Sequence, residues 1–255
     1  MIVIVTRPAQ AGRRLFSHVV EHGHDAIWWP AFEIGPAPDP DAVRDALRRL
    51  SDYGLAIFVS ASAVSATRAF LQGAWPAHTM IGAVGPSTHA AVTGAPALSA
   101  GSIVVAPSNA GDSGSESFWN AWRATARSVQ KVLLLRAAEG RDWLTEQFVE
   151  SGAQVDAVAV YSRVPQQLSA ADLARLEGWV ARHASAVPVF SSTEAVAALD
   201  AQVGDAGKTW LRLGTAIACH PRIAQQLRSN GYARVLDATF DDDSIIAKLE
   251  SIRAS

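Results

Sequence analysis

Residues 1–23 read MIVIVTRPAQAGRRLFSHVVEHG, and this stretch predicts one complete strand–helix unit. The apolar, β-branched run Ile2–Val5 is typical of a buried strand. Gln10–Glu21 has the apolar period of a helix with one buried face, and Gly23 is the residue at which that helix is expected to end. A short buried strand followed at once by an amphipathic helix is the building block of a parallel sheet.

The same alternation continues along the rest of the chain. The predicted strands are Ala26–Ile34, Leu55–Val59, Met80–Val84, Ile103–Ala106, Val132–Arg136, Val155–Tyr161, Val187–Phe190, Trp210–Ala218 and Arg234–Leu236. The predicted helices are Asp41–Leu50, Ser62–Leu71, Ser115–Arg123, Gly140–Ser151, Ala170–Arg182, Glu194–Ala201, Arg222–Ser229 and Asp243–Arg253. Strands that alternate with helices predict an α/β fold, in which parallel sheets carry helices on both faces.

Three short blocks of sequence occur twice. The matched positions are Arg7 with Arg136, Ser60 with Ser192, and Pro86 with Pro221, at offsets of 129, 132 and 135 residues. Unrelated strand–helix units can resemble one another by chance, but duplication accounts better for three blocks at nearly equal offsets. The spacing therefore favours duplication of a unit about half as long as the chain.

Length, charge and composition argue against a nucleic-acid-binding, membrane-spanning or disulfide-rich protein. The chain has 255 residues, which is long enough for two domains, and a formal charge of −2. That charge argues against a nucleic-acid-binding surface. No run of about 18 uncharged apolar residues occurs, so no membrane span is expected. The single cysteine, Cys219, excludes a disulfide framework, and we expect a cytoplasmic protein.

Several apparent motifs fail when their spacing is examined. GDAGKT at residues 204–209 has only two residues between its glycines and follows a predicted helix, so it is not a phosphate loop. His18 and His22 lie one helical turn apart, but no HExxH pattern or cysteine accompanies them, and we expect no metal site. Cys219 follows an apolar strand, which favours a buried thiol. The glycines and serine of 111–114 indicate a flexible loop.

Five predicted strands end in short turns rich in hydroxyl groups or proline. These turns are Thr6–Pro8, Ser60–Ser62, Gly85–Thr88, Ser191–Thr193 and His220–Arg222. Such residues are ordinary helix starts, so each turn alone indicates only a cap. Helix N-termini also present unpaired N–H groups, and in a parallel sheet they collect at one edge. Together the turns predict a site for a ligand with several carboxylates or phosphates.

The sequence resembles the uroporphyrinogen-III synthase family over nearly its whole length. The residues that carry the resemblance are VTRP at Val5–Pro8, FVSASAV at Phe58–Val64, AVGPSTHAAV at Ala83–Val92, the long block Leu133–Val164, FSSTEAV at Phe190–Val196, and the block Cys219–Val235. The chain also departs from the family pattern. Two glycines of the family's LRGxGGR block are replaced in Leu135–Arg141, and His220, Ile223 and Ala61 stand where other members often have glycine, threonine and proline.

The resemblance implies two flavodoxin-like parallel-sheet domains, one of them discontinuous, joined by two crossing strands. The first domain would take residues 1–35 and 166–255, and the second would take residues 38–163. The repeat alone would instead predict two domains in tandem. Pro/Gly-rich segments at 34–40 and 162–167 are consistent with the discontinuous arrangement.

The resemblance also implies an enzyme that works without a cofactor. Its substrate would be hydroxymethylbilane, a linear tetrapyrrole polycarboxylate that the preceding deaminase would hand over, and its product would be uroporphyrinogen III. The reaction loses the terminal hydroxyl as water and inverts the last pyrrole ring through a spiro intermediate. We expect a monomer with no nucleic-acid or membrane partner. A non-enzymatic two-domain binding protein for a small anionic ligand is the alternative.

Tyr161 matches the family's tyrosine and is the predicted catalytic residue, assisting departure of the hydroxyl group. The predicted substrate-binding residues lie at the strand ends described above or just beyond the strand Val132–Arg136. They are Arg7, Ser60, Ala61, Ser62, Ser87, Thr88, Arg136, Arg141, Ser192 and Thr193. The chain offers no paired carboxylates for a second acid or base.

Overall fold

The computed structural model describes residues 1–108 and 114–254. All of the predicted loop at 111–114 except Gly114 therefore lies outside the described residues. Among the helices that are described, none is both long enough and apolar enough to cross a membrane.

Eleven strands and twelve α-helices make up the described part of the chain. The strands are β1 (Ile2–Val5), β2 (Asp25–Trp28), β3 (Phe32–Gly35), β4 (Leu55–Phe58), β5 (Met80–Ala83), β6 (Val104–Val105), β7 (Lys131–Ala137), β8 (Gln154–Pro165), β9 (Ala186–Phe190), β10 (Thr215–Ala218) and β11 (Arg234–Asp237). The helices are α1 (Ala9–Glu21), α2 (Pro40–Arg48), α3 (Ala61–Phe70), α4 (Pro86–Thr93), α5 (Pro96–Ser99), α6 (Ser115–Ala124), α7 (Trp143–Glu150), α8 (Ala170–Ala181), α9 (Thr193–Gln202), α10 (Gly204–Leu213), α11 (Pro221–Ser229) and α12 (Asp242–Arg253).

The chain forms two compact units, and the first of them is discontinuous. Unit 1 contains Met1–Glu33 and Val164–Ser255, and unit 2 contains Ile34–Arg163. The chain passes from unit 1 to unit 2 within β3 and returns within β8.

Each unit is built on one sheet, and the two sheets share an order. In unit 1 the strands lie in the order β2-β1-β9-β10-β11, and in unit 2 they lie in the order β8-β7-β4-β5-β6, with β3 beside β8. The pairs of β1 with β2 and β9, and of β7 with β8 and β4, are all parallel. Position by position this is the flavodoxin-like order 2-1-3-4-5, which in unit 2 is reached by a circularly permuted chain.

The permutation explains why the repeat is tandem although unit 1 is discontinuous. Strands β1 and β2 correspond to β7 and β8, and β4, β5 and β6 correspond to β9, β10 and β11. We call β1–β2 and β7–β8 the two copies of the first set, and β4–β6 and β9–β11 the two copies of the second set. Along the chain the first and second sets alternate, so each half of the chain contains one copy of each. Each unit takes its first set from one half of the chain and its second set from the other.

The core of unit 2 follows the period of its strands. Leu55 and Ile57 of β4 pack with residues of α6 and α7 on one face of the sheet. Ala56 and Phe58, the alternate residues, belong to a second cluster with residues of α2 and α3 on the other face. All four β4 residues are fully buried, which is why this strand reads as a continuous apolar run.

The strand predicted at Trp210–Ala218 is wrong over its first half, because Trp210–Leu213 is the end of α10. Gly207, Trp210 and Leu211 are buried at helical spacing, and Trp210 Nε1 donates to the Ala184 carbonyl at 2.5 Å. The helix ends in apolar residues and a buried strand begins almost at once, so the apolar run gives no sign of the boundary between them.

The prediction of one strand over Ala26–Ile34 is also wrong. β2 and β3 are separate strands of different sheets, divided by Trp29–Ala31. Pro30 has no N–H to continue a ladder. The amides on either side of Pro30, those of Trp29 and Ala31, bond instead to carbonyls at the end of β1 and just after it.

Two further differences concern helices. The helix predicted at Gly140–Ser151 begins only at Trp143, because residues before it form the turn that holds the Arg136 guanidinium. The sequence predicts only the start of the short helix α4, at the turn Gly85–Thr88, and it does not predict α5, although both helices begin at a proline, Pro86 and Pro96.

Gly12 of α1 lies where the helix meets the end of β1. A Cβ atom at this position would lie 1.8 Å from the Arg7 carbonyl oxygen, which also accepts a hydrogen bond from Trp28 Nε1 at 2.8 Å. The close approach of helix to backbone therefore requires a residue with no side chain. Gly178 of α8 is different, because a Cβ there would meet only the movable end of Arg182 at 3.3 Å.

These two glycines should respond oppositely to the same substitution. Gly12→Ala should destabilise unit 1 by about 2–3 kcal/mol, since backbone must move to admit the methyl group. Gly178→Ala should stabilise it by about 0.5–1 kcal/mol, because alanine favours the helical backbone. Urea denaturation of the two full-length variants measures both effects. Equal shifts in the two variants would contradict this account of the α1 contact.

Candidate functional site

The helix starts at the carboxyl edge of each sheet share one geometry. Ser60 is the N-cap of α3, with φ −162° and ψ 160°, and its Oγ accepts from the Ala63 amide at 3.1 Å. Ser192 is the N-cap of α9, with φ −154° and ψ 156°, and its Oγ accepts from the Ala195 amide at 3.2 Å. The repeated serines thus have the same structural role, and each leaves the first amides of its helix at the strand end.

The predicted site residues that follow the two serines occupy different helical positions. Ala61 and Thr193 are the first residues of α3 and α9, whereas Ser62 is the second residue of α3. All three are partly accessible. Thr193 Oγ1 donates to its neighbour Glu194 at 3.3 Å.

The second pair of helix starts begins with proline. Gly85 is the N-cap of α4 and His220 is the N-cap of α11, and each precedes a proline at the first helical position. The imidazole Nδ1 of His220 accepts from the Arg222 amide at 3.1 Å. Of the predicted residues in α4, Ser87 is exposed and Thr88 is buried.

The predicted site residues do not include His220, although the turn His220–Arg222 is one of the five predicted strand ends. Its position between a buried strand and a proline-initiated helix is the available signal, because that is where a capping side chain is expected.

Tyr161 lies in β8 of unit 2, directly after a bulge. Arg136 of β7 pairs with Ala159, but Ala137 pairs with Tyr161, so Val160 is the extra residue of the bulged strand. The Tyr161 side chain is buried, and its Oη lies 3.1 Å from Ser60 Oγ. The structure therefore brings together two predicted site residues that are 101 positions apart.

The two predicted arginines of unit 2 both form ion pairs. Arg136 Nη1 lies 2.5 Å from Asp142 Oδ1, and its other nitrogens donate to the carbonyls of Ala137 and Gly140. Arg141 binds both carboxylate oxygens of Glu116, at 2.7 and 3.3 Å. The hydrogen bond to Glu116 raises the pKa of Arg141 above its usual value.

Arg7 of unit 1 is buried and held from several sides. Its Nη1 lies 3.0 Å from Asp242 Oδ1, and its Nη2 donates to the Phe240 carbonyl at 3.1 Å. Asp242 also binds Arg14 Nε at 2.7 Å. Cys219 lies 4.0 Å from Arg7 Nη2 and is buried, as predicted, and this burial raises the pKa of its thiol.

The pairing of Arg7 with Asp242 could not be read from spacing, because 235 positions separate the two residues. The acidic run at 241–243 indicates only a helix start. Within residues 1–108 and 114–254, no group of three or more His, Cys, Asp or Glu side chains is placed to hold a metal ion.

Each edge therefore combines helix starts with ion-paired arginines. Ser60, Tyr161 and the predicted residues of α4 lie in unit 2 with Arg136 and Arg141, while Arg7, Ser192 and Thr193 lie in unit 1. Two flavodoxin-like sheets, one formed by a discontinuous chain, define a two-domain α/β protein of the kind that binds ligands at strand ends.

A family model described as Uroporphyrinogen-III synthase HemD matches residues 14–247. The chain therefore belongs to the uroporphyrinogen-III synthase family, as the resemblance of its motifs indicated. No curated protein matches the sequence.

Solved structures show the same fold at low sequence identity. A mutant uroporphyrinogen III synthase from the extreme thermophile Thermus thermophilus is 16% identical, with a TM-score of 0.64 over 100% of both chains. The wild-type enzyme of that organism, in another crystal form, is 17% identical, with a TM-score of 0.51 over 100% of this chain and 98% of that one. At these identities the likeness concerns the fold.

Proposed function

We propose that this protein closes hydroxymethylbilane to uroporphyrinogen III, with inversion of the last pyrrole ring and loss of water. The observation that carries the proposal is the match of the family model over residues 14–247. The tetrapyrrole polycarboxylate substrate follows from the same family. A non-enzymatic binding protein is not favoured, because the match extends over nearly the whole chain.

Local groups must attract the substrate, because the chain has a formal charge of −2 and the substrate is a polyanion. The predicted arginines already face carboxylates: Arg7 faces Asp242, Arg136 faces Asp142, and Arg141 faces Glu116. We infer that the amides at the starts of α3, α4 and α9 hold the substrate carboxylates. These amides carry the positive end of the helix dipole and need no counter-ion. The start of α11 is not included, because Pro221 has no N–H and the amides of Arg222 and Ile223 donate to His220.

Tyr161 is the proposed acid for departure of the terminal hydroxyl group. Its phenolic O–H is the type of group that can give a proton to a leaving oxygen. The pyrrole nitrogens then supply the electrons, so the protein has mainly to orient the chain and exclude water. No cofactor is required for this chemistry.

The remaining expectations belong to the same proposal. The two units would be the two domains of the enzyme, and the protein would act as a monomer in the cytoplasm. It would receive its reactive substrate from the preceding deaminase. The single free thiol, Cys219, is consistent with a reducing compartment.

An isomer assay tests the proposed activity. When the purified protein is coupled to enzymatic production of hydroxymethylbilane, the expected product is the type III isomer. A parallel reaction without the protein measures uncatalysed closure, for which we expect the type I isomer. Chromatographic separation of the two isomers measures the result, and type I alone in the presence of folded protein would refute the activity.

Tyr161→Phe should lower kcat about a hundredfold, because it removes one general acid. The fold should survive, since the ring remains in its buried site. Tyr232→Phe is the matched control, because it also deletes a buried tyrosine hydroxyl, one that contacts Asp200 in unit 1. Coupled turnover and thermal melting of both variants provide the test, and wild-type turnover in Tyr161→Phe would limit this residue to packing.

Proline substitutions can separate amide recognition from hydroxyl recognition. Ala61→Pro and Thr193→Pro each remove one N–H at the first helical position, where proline suits the backbone. Ser60→Ala and Ser192→Ala leave every amide in place and remove the capping hydroxyl, at a cost of about 0.5–2 kcal/mol in stability.

If amides hold the carboxylates, the proline variants should melt near the wild-type temperature and have the larger increase in KM. Steady-state kinetics and thermal melting of all four variants measure this. A larger KM increase in the alanine variants than in equally stable proline variants would favour binding by side-chain hydroxyls.

A further inference from the structure

The Ser60 hydroxyl takes part in two hydrogen bonds that have different purposes. As the cap of α3, Ser60 Oγ accepts from the Ala63 amide at 3.1 Å. The same oxygen lies 3.1 Å from the Oη of Tyr161, which is 2% exposed. A serine hydroxyl has one proton and two lone pairs, so it can accept from the amide and still donate its proton.

The direction of the Ser60–Tyr161 hydrogen bond follows from the proposed role of Tyr161 as a proton donor. If Tyr161 gives its proton to the substrate, its O–H must point towards the substrate and not towards Ser60. The phenolic oxygen is then the acceptor, and Ser60 is the donor. This arrangement makes a chain of donors from the Ala63 amide through Ser60 to Tyr161, in which each bond strengthens the next.

We propose that Ser60 is a positioning residue that donates a hydrogen bond to Tyr161 Oη and connects this oxygen to the positive end of α3. The inference rests on the proposed function. During loss of the hydroxyl group, the C–O bond breaks and its electron pair leaves with oxygen, which takes the Tyr161 proton and departs as water. The proton that the last ring releases on rearomatisation returns to the phenolate. Ser60 stabilises the negative charge between these two steps.

The duplicated unit supplies a natural comparison for this role. Ser192 has the same capping geometry in unit 1, with Ala195 as the amide donor. The chain has three tyrosines, and the other two, Tyr53 and Tyr232, bond to Asp156 and Asp200. Of the two duplicated serines, Ser60 is therefore the one that contacts a tyrosine hydroxyl, so capping and positioning can be separated by experiment.

The first test is a double-mutant cycle in the full-length enzyme. Ser60→Ala should lower kcat about tenfold and change KM less, because the lost bond acts on the transition state. Ser60→Thr should restore kcat, since threonine caps the helix and keeps the hydroxyl. In a Tyr161→Phe background, Ser60→Ala should have less than about a twofold further effect on kcat. The factor produced by Ser192→Ala should be the same in both backgrounds.

A second measurement is independent of turnover. With tyrosine labelled with carbon-13 at Cζ, the Tyr161 signal is the one that disappears in Tyr161→Phe. This signal should shift in Ser60→Ala and not in Ser192→Ala. If Ser60→Ala does not fold, Ser60→Gly replaces it, because glycine is nearly as good a cap and has no hydroxyl.

Three results would overturn the proposal. They are an equal effect of Ser60→Ala on kcat with and without the Tyr161 hydroxyl, a rise in KM alone, and an unshifted Tyr161 signal. Failure of the proposed function has a different signature, namely no type III isomer from the wild-type protein. Type III product together with normal turnover of Tyr161→Phe would leave the proposed function intact and reject the role of Ser60.

Discussion

Parallel pairing of the strands is the constraint on which the rest of the structure depends. A strand such as β1 can lie between β2 and β9 in the same direction only if the chain crosses back from one strand to the next, and in this fold most of these crossings are helices. Every crossing begins at the carboxyl edge, so helix starts collect there whatever the protein does. The capping serines and prolines satisfy this geometric demand first. The proposed binding of substrate carboxylates by the same amides requires no further architecture and does not depend on the slightly negative charge of the chain.

The arginines at the strand ends are already neutralised by carboxylates, so their charge is not free to attract the substrate. Arg7 is buried, and an isolated charge there would be costly, so Asp242 and the Phe240 carbonyl surround it. Its contribution is to join the end of β1 to the start of α12. Arg136 is similarly enclosed by a carboxylate and two carbonyls. In both cases the guanidinium fixes the shape of the strand end, and we propose that helix-start amides hold the substrate carboxylates instead.

Local patterns predicted the fold well because each strand–helix boundary is determined by neighbouring residues. Examples of such locally determined features are the strand at 55–59 and the helix caps Ser60 and Ser192. Prediction failed where one apolar segment continued into another, as at Trp210, or where long-range contacts decide the outcome. Tyr161 lies beside Ser60 directly after the bulge at Val160, and neither the bulge nor this contact can be predicted from the sequence positions of the two residues. The partnership of Arg7 with Asp242 likewise depends on the closed fold.

The alternation of the two strand sets along the chain has a consequence for synthesis on the ribosome. β1 emerges first, yet its neighbour β9 begins at Ala186, which at about 5–20 residues per second is roughly 10–35 s later. Meanwhile β4, the counterpart of β9, becomes available as a wrong partner in the first half. β7 is made before β9 and pairs with β4, which occupies the edge that β1 could otherwise take. The order of translation thus removes the competing partner before the correct one appears.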